Sequence, residues 1–389
     1  MRRKFQATYS MSSLVTYEAF VDTCTALFRK HLAERAGDGT EMDLAWWMNC
    51  YATDTVAMIR SSQRLGDLDA GEDVGDLAKT LHGGLAYVSL VGIFAEWHLP
   101  LMNLMAHLRA LGLTKGSPRM IVNDFVLRVM GERRQHRAAR EKVHADLASA
   151  AADETTPRDM LDKFLDFHEN APDHFIDTDI SVGLSANVVA GADTTAASLS
   201  AVLYYLLKNP RTFLRLRADL DAGTAAGTLS SPVTFKQAQD LPYLQAVVQE
   251  ALRLHPAVGL PLERVVPPPG AELCGRWFPP YTIVGVNAWV LHYDTAVFGV
   301  DAAEFRPERW LEVDKERAVQ PLVASIVAVT GYTWVSNWVI GLSISQIVKV
   351  RLLSVAHLTG AGNVVALREA DVLDVGKHHG NEYFTKRKD

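Results

Sequence analysis

The chain has 389 residues, of which 48% are hydrophobic and 22% charged, as is typical of a globular protein with a sizeable core. A formal net charge of -6 and the lack of basic runs with interleaved aromatics exclude nucleic acid as the expected partner. Three cysteines, Cys24, Cys50 and Cys274, are too few for a disulfide framework and lack CxxC spacing, which indicates a reducing compartment and no structural metal site.

The two ends of the chain give different membrane signals. Residues 1–13 begin with a basic cluster but lack the apolar run of a signal peptide or membrane anchor. Residues 319–348 carry no charged side chain and would be long enough to span roughly 30 Å of hydrocarbon. Their polar and glycine content weakens that interpretation, so the sequence predicts a cytoplasmic chain or one associated with membranes through 319–348.

Apolar residues at spacings of three and four predict amphipathic helices over 16–32, 43–59 and 120–143. Between the last two, residues 83–108 are apolar on nearly all sides, with glycine and proline interruptions. This pattern predicts a buried or substrate-facing helix pair rather than an ordinary surface helix, and the alternative is plain core.

Further along the chain, residues 159–172 predict one more helix, and the Ala-rich residues 179–210 predict a helix of roughly 30 residues that would cross a domain. Residues 241–256 predict another helix that stops at a proline. Residues 275–294 then alternate Pro/Gly punctuation with Val, Ile, Trp and Tyr, which predicts short strands and turns. The expected fold class is therefore mainly α with a small β-sheet.

The long helix contains the segment Ala190–Thr195, AGADTT. Its small residues leave a groove beside the backbone, with room for a diatomic ligand next to a carboxylate, Asp193, and a hydroxyl, Thr194. A mid-helix threonine that bonds back to a carbonyl one turn earlier would loosen the helix and widen that groove. The alternative is close helix packing through Gly191 with a solvated Asp193.

Glu250 and Arg253 lie three residues apart on the predicted helix 241–256, so they face the same way and can form a charge-assisted pair. Downstream, Arg309 lies in the proline-punctuated segment FRPERW and could close a triad with them. Breaking such a triad, if it is buried, would cost roughly 3 to 5 kcal/mol. The alternative is a surface ion pair.

These three motifs, in this order, resemble those of the cytochrome P450 family of haem-thiolate monooxygenases, and the sequence around them is most similar to fungal enzymes of the pisatin demethylase-like kind. The resemblance covers roughly residues 1 to 312, and it implies an incomplete P450 fold that starts near the C helix and ends after the PERF-like segment. It also implies a b-type haem, oxygen insertion into a small hydrophobic substrate, and electrons from an NADPH-cytochrome P450 reductase. Intact relatives are expected in the endoplasmic reticulum membrane.

The resemblance assigns roles to individual residues. It implies proton delivery by Asp193 and Thr194, an oxygen groove at Gly191, and the structural triad Glu250, Arg253 and Arg309. It further implies that Arg264 pairs with a haem propionate, that Arg2 or Arg3 pairs with a second, and that the turn 258–262 lines the substrate pocket. The pocket residues singled out there are Val258, Gly259 and Leu260.

The chain departs from the family at the haem cysteine. No cysteine follows Trp310, and Cys274 lacks the flanking Phe, Arg and Gly of the family's cysteine loop. Residues 313–389 do not resemble the family, so we expect a truncated or mis-spliced product that binds haem poorly and is inactive as written. The alternatives are a non-catalytic module that binds a hydrophobic ligand or attaches to membranes through 319–348, and a product without function.

Overall fold

The computed structural model of the chain describes residues 2–5, 7–38, 41–113, 118–146, 158–259 and 261–312. All of 313–389, which includes the apolar segment 319–348, lies outside these residues, as does Leu260. The contacts between residues divide the chain into two compact units, the first ending at Ala196 and the second beginning at Ala197. Helices dominate both units, and the few strands are short, which confirms the predicted fold class.

Helices, joined by turns and loops, are the regular elements of the first unit over the residues that the structure describes. Its helices are α1 (Arg2–Phe5), α2 (Met11–Val15), α3 (Glu18–Asp38), α4 (Leu44–Ser61), α5 (Asp67–Ala70), α6 (Leu77–Ile93), α7 (His98–Ala110), α8 (Pro118–Asp146), α9 (Met160–Asn170) and α10 (Asp177–Lys208). Helix α10 is 32 residues long and continues into the second unit. The predicted helices over 16–32, 43–59, 120–143, 159–172 and 179–210 are all confirmed.

Side-chain caps set where these helices begin. The Asp43 carboxylate accepts a hydrogen bond from the backbone N–H of Trp46 at the start of α4, and Asp159 accepts one from the N–H of Asp162 at the start of α9. Buried side chains of α6, α8, α9 and α10 then form one core, in which Val126, Leu161, Phe164, Ile180 and Leu184 are fully enclosed. This core fixes α10 against its neighbours.

Of the two alternatives predicted for 83–108, the buried helix pair is wrong, and the substrate-facing pair stays a prediction. Helix α6 is buried only near its start, and α7, which follows a 3₁₀ turn at Ala95–Trp97, has no buried residue. Ile93, Trp97 and Leu99 are 69%, 58% and 70% exposed. A pattern that is apolar on every side does not indicate whether another segment covers the helix. Here none of the described segments covers the exposed side chains of α6 and α7.

Among the described residues, no single helix is long and apolar enough to cross a membrane; the pair Leu77–Ile93 and Ala95–Ala110, bent by 118°, meets the criterion only in combination, by length and composition.

The second unit combines short helices with two antiparallel strand pairs. Its helices are α11 (Pro210–Ala225), α12 (Phe235–Gln239), α13 (Pro242–Leu254), α14 (Ala288–His292), α15 (Thr295–Phe298) and α16 (Arg309–Glu312), and its strands are β1 (Leu262–Val265), β2 (Ala271–Leu273), β3 (Arg276–Phe278) and β4 (Ile283–Val286). Strand β1 pairs with β4, with Leu262 opposite Val286, and β2 pairs with β3. Helix α13 confirms the predicted helix over 241–256.

The prediction of strands and turns over 275–294 is right for β3 and β4 and wrong for 288–292. There the Asn287 side chain accepts a hydrogen bond from the backbone N–H of Val290 and starts the helix α14. A cap of this kind overrides the strand preference of Trp289 and Val290, because it satisfies an amide that would otherwise lack a partner.

Candidate functional site

The small residues of α10 bring this helix close to α4. A Cβ atom added at Gly191 would lie 3.1 Å from Cγ2 of Val56, which is tighter than ordinary van der Waals contact. Three residues on, the Thr194 hydroxyl donates to the carbonyl oxygen of Ala190 at 2.7 Å, as the sequence predicts for a threonine inside a helix. The lack of a side chain at Gly191 therefore lets α10 pack close to α4. The Thr194 hydroxyl bonds to the backbone of its own segment, Ala190–Thr195.

Asp193 is buried, with 5% of its surface exposed, so the interpretation of a solvated carboxylate is wrong. Its Oδ1 accepts a hydrogen bond from Nδ2 of Asn49 on α4 at 3.2 Å and lies 3.4 Å from Nε2 of His82 on α6. Its Oδ2 is buried without a hydrogen-bond partner among the described residues. One oxygen is thus held in place while the other remains available to a donor.

Sequence reasoning missed His82 and Asn49, because each lies on a different helix more than 100 positions from Asp193 and neither belongs to a motif. The hydrogen bond to Asp193 is the main cause that raises the pKa of His82 above its ordinary value. The His82 side chain is 30% exposed, whereas that of Asp193 is 5% exposed. His82 can therefore hold a proton between solvent and the buried carboxylate of Asp193.

The second unit holds Glu250, Arg253 and Arg309 together. Arg253 donates to both carboxylate oxygens of Glu250, at 2.8 and 2.9 Å, and Nε of Arg309 donates to Oε1 at 2.9 Å. All three side chains are nearly inaccessible, at 0%, 0% and 6% exposure. The alternative of a surface ion pair is therefore wrong.

The carboxylate of Glu250 has further donors that the motifs do not indicate. The backbone N–H of Arg306 donates to Oε1 at 3.0 Å, and the indole N–H of Trp310 donates to Oε2 at 2.9 Å. The guanidiniums in turn donate to main-chain carbonyls, Arg253 to that of Ala302 and Arg309 to that of Phe298. The triad therefore ties α13 to α16 and to the irregular chain that precedes α16.

The remaining predicted residues are less constrained. Arg264, on β1, is exposed and donates to the carbonyl oxygen of its neighbour Glu263 at 2.6 Å. Val258 and Gly259 are partly exposed in the turn before β1, and Leu260 lies outside the described residues. The side chains of Arg2 and Arg3 also lie outside them. The propionate and substrate-pocket roles of these residues remain predictions.

The thiols of the chain do not suit an axial haem ligand. Cys24 and Cys50 are buried in α3 and α4, and burial raises the pKa of each thiol to about 12, so neither is a thiolate near neutral pH. Cys274 is exposed in the tight turn between β2 and β3. In the described part of the chain, no group of three or more His, Cys, Asp or Glu side chains could hold a metal ion. The two buried thiols therefore do not fit the role of a haem thiolate.

Comparisons with known proteins place the chain in a family. The family model for cytochrome P450 matches residues 1–323. The chain is 35% identical to "Pisatin demethylase" of Fusarium vanettenii over 81% of its own length and 58% of the relative's, and 32% identical to "Cytochrome P450 monooxygenase" of Aspergillus terreus over 82% and 62%. It thus spans about three fifths of these curated relatives.

A solved structure supports the fold. The crystal structure of a cytochrome P450 superposes with a TM-score of 0.65 at 19% identity, and the match covers 89% of this chain and 70% of that one. At this identity the likeness concerns the fold alone. The match of the family model over residues 1–323, most of the chain, shows that the chain belongs to the cytochrome P450 family.

Proposed function

We propose that these 389 residues retain the fold and the distal acid–alcohol segment of a cytochrome P450 monooxygenase but form no haem-thiolate centre, so that they do not catalyse oxygen insertion. The observation that carries the proposal is the placement of the three thiols, two of them enclosed within α3 and α4 and the third in an exposed hairpin turn.

The chemical argument rests on the role of the thiolate. A cysteine thiolate bound to haem iron donates electron density that favours cleavage of the O–O bond. A thiol can take that role only where the haem can reach its sulfur, and protein side chains enclose Cys24 and Cys50, which are 0% and 1% exposed. Asp193, Thr194 and the triad can persist without that ligand, because the contacts described above are all between protein groups.

For the complete enzymes of the family, we propose a small hydrophobic substrate, a b-type haem and an NADPH-cytochrome P450 reductase as electron donor. In such an enzyme, Asp193 and Thr194 would supply protons beside Gly191, and Arg264 would pair with a propionate. The buried Oδ2 of Asp193, with no partner among the described residues, supports the first of these roles.

The experiment compares two proteins, purified after expression with excess haem. One is the chain itself, and the other is a chimera in which 313–389 is replaced by the corresponding segment of the Fusarium pisatin demethylase, where we expect the family's cysteine loop. We expect the reduced carbon monoxide complex to show the red-shifted Soret band of a thiolate ligand only in the chimera. That band in the unmodified chain would overturn the proposal, and replacing Cys24, Cys50 and Cys274 singly by Ser would identify the ligand.

A second candidate function is non-catalytic attachment to membranes or hydrophobic ligands. The segment 319–348, for which the sequence predicts it, lies outside the described residues. The exposed apolar side chains of α6 and α7 favour it independently, among them Ile93, Trp97 and Leu99. We expect the double variant Ile93→Ser, Leu99→Ser to co-float with neutral phospholipid vesicles less than the parent chain does. Val300→Ser, at a fully exposed site elsewhere, is the control, and equal flotation of all three proteins would refute the idea.

A further inference from the structure

Arg60, in the last turn of α4, is a buried cation without the partners that a guanidinium normally has. Only 1% of its surface is exposed, and none of its three guanidinium nitrogens has a hydrogen-bond acceptor among the described residues. One face of the group lies over the ring of Phe125 on α8, with Cζ 4.5 Å from the ring centre. This contact covers the face of the guanidinium and leaves its N–H edge unsatisfied.

The charge of Arg60 is only partly compensated by an acid. Asp159 attracts Arg60 from beyond hydrogen-bonding distance, and its carboxylate already accepts hydrogen bonds from the Ser62 hydroxyl at 2.6 Å, from Arg133 at 2.8 Å and from the backbone N–H of Asp162 at 2.8 Å. Burial lowers the pKa of Arg60 to about 10, so the guanidinium is still charged at neutral pH. A buried, charged donor set without an acceptor is strongly unfavourable unless an anion completes it.

Arg60 lines a small cavity between α4, α6 and α10. The cavity volume is about 10 Å3, which is room for one particle of roughly the size of a water molecule. Thr53 is the other polar residue of the lining, and the apolar walls include Val56, Leu81 and Val188. This size excludes carboxylates, phosphate and sulfate, and it leaves a water molecule or a monatomic ion as the occupants that fit.

The donors around this cavity favour an anion over water. A buried water molecule is held by two to four polar partners, and it needs acceptors for its own two O–H groups. Arg60 offers donors alone, so the Thr53 hydroxyl would be the single acceptor that the described lining side chains give to a water molecule. A halide ion accepts from N–H and O–H donors, needs no acceptor, and supplies the negative charge that Arg60 lacks.

We propose that this cavity binds one chloride ion, with the N–H edge of Arg60 and the Thr53 hydroxyl as its donors. Chloride is only slightly larger than water, and the unbranched stem of the arginine side chain can shift to admit it. Because the cavity lies between α4, α6 and α10, the bound ion would hold these helices together and stabilise the first unit by mass action. The site goes beyond the proposed function, since neither haem nor an axial ligand takes part in it.

The test follows the Tm of the full chain while sodium gluconate, whose anion is too large for the cavity, is replaced stepwise by sodium chloride at constant total salt. A ligand that binds only the folded chain should raise Tm by about 2 to 4 °C for each tenfold increase in its concentration above the Kd. We expect this rise in the parent chain and its loss in Arg60→Met. Arg128→Met is the matched control: it removes the same charge above Phe125, but the Arg128 side chain is 64% exposed, so the rise should persist.

Three outcomes would overturn the proposal: no rise in Tm when chloride replaces gluconate, an equal rise in Arg60→Met, or loss of the rise in Arg128→Met. Should Arg60→Met not fold, long-wavelength anomalous diffraction from crystals of the parent chain grown in sodium chloride decides the question, because chloride gives an anomalous signal and water does not. A peak between Arg60 and Thr53 supports the site, and its absence refutes it. The Soret experiment plays no part in any of these outcomes, so the two proposals fail independently.

Discussion

Replacing Glu250 by Gln tests the buried triad at its centre. The substitution keeps the shape of the side chain but removes its charge and turns one acceptor oxygen into an NH2 group. Oε1 accepts from Arg253, Arg309 and the backbone N–H of Arg306, and Oε2 accepts from Arg253 and Trp310. Whichever way the amide is oriented, at least two buried donors lose their acceptor.

Each unsatisfied buried donor costs about 1 to 3 kcal/mol. The variant leaves at least two such donors unsatisfied, and the two guanidiniums lose their counter-charge. We therefore expect a loss of roughly 3 to 5 kcal/mol in the free energy of unfolding. Urea titration measures it as a lower midpoint with an unchanged slope.

Glu308→Gln is the matched control. Glu308 also accepts hydrogen bonds from an arginine, Arg215, and a ring residue, Tyr243, but its side chain is 33% exposed. A solvent-exposed pair contributes about 0 to 1 kcal/mol, so this variant should unfold near the parent's midpoint. Equal losses in the two variants would refute the reasoning, because burial would then make no difference to the value of the carboxylate.

Three further predictions concern packing, pH and thiol reactivity. Gly183→Ala should destabilise the chain by about 1 to 3 kcal/mol, because the new Cβ would lie 2.9 Å from the ring of Phe164. Gly131→Ala, with nothing within 4 Å of its Cβ, should stabilise the chain by about 0.5 to 1 kcal/mol. Urea titration measures both changes, and a change in the same direction for both variants would contradict the prediction. Burial raises the pKa of Asp67 to about 7 in the folded chain, so the free energy of unfolding should fall as pH rises from about 4 to 7. Asp67→Asn should therefore be more stable than the parent at pH 8, by on the order of 2 to 4 kcal/mol, with little difference below pH 4. A difference in stability that does not change with pH would refute burial of Asp67 as the cause. Ellman's reagent should label Cys274 quickly in the native chain and all three thiols only in denaturant; rapid labelling of more than one thiol would contradict the burial of the other two.

Much of the helical framework follows from local patterns. The apolar spacing predicts α3, α4, α8, α9, α10 and α13, because apolar residues that pack into a core recur at spacings of three and four along each helix. Helix α4 is buried on nearly all sides, which the spacing does not reveal. The same logic fails for 83–108, where apolar residues on every side leave no period to identify the buried face. It also fails at 288–292, where one hydrogen bond from the chain to Asn287 decides between strand and helix.

The site divides in the same way. Spacing alone puts Glu250 and Arg253 on one face of a helix, and it places Thr194 one turn from the carbonyl that it bonds. The contacts of Asp193 with Asn49 and His82 connect separate helices, and no local pattern marks either partner. Long-range contacts of this kind depend on how helices pack.

The amino-acid sequence by itself determined the order of motifs, the helices that carry them and the lack of a cysteine after Trp310, because these are properties of neighbouring residues and of composition. Only the tertiary structure decided that Asp193 is buried, that five donors surround Glu250, and that Arg60 in the last turn of α4 is buried with no hydrogen-bond acceptor among the described residues. The physical reason is that the energy of a charge depends on its distance from water and from other charges, and folding sets both distances.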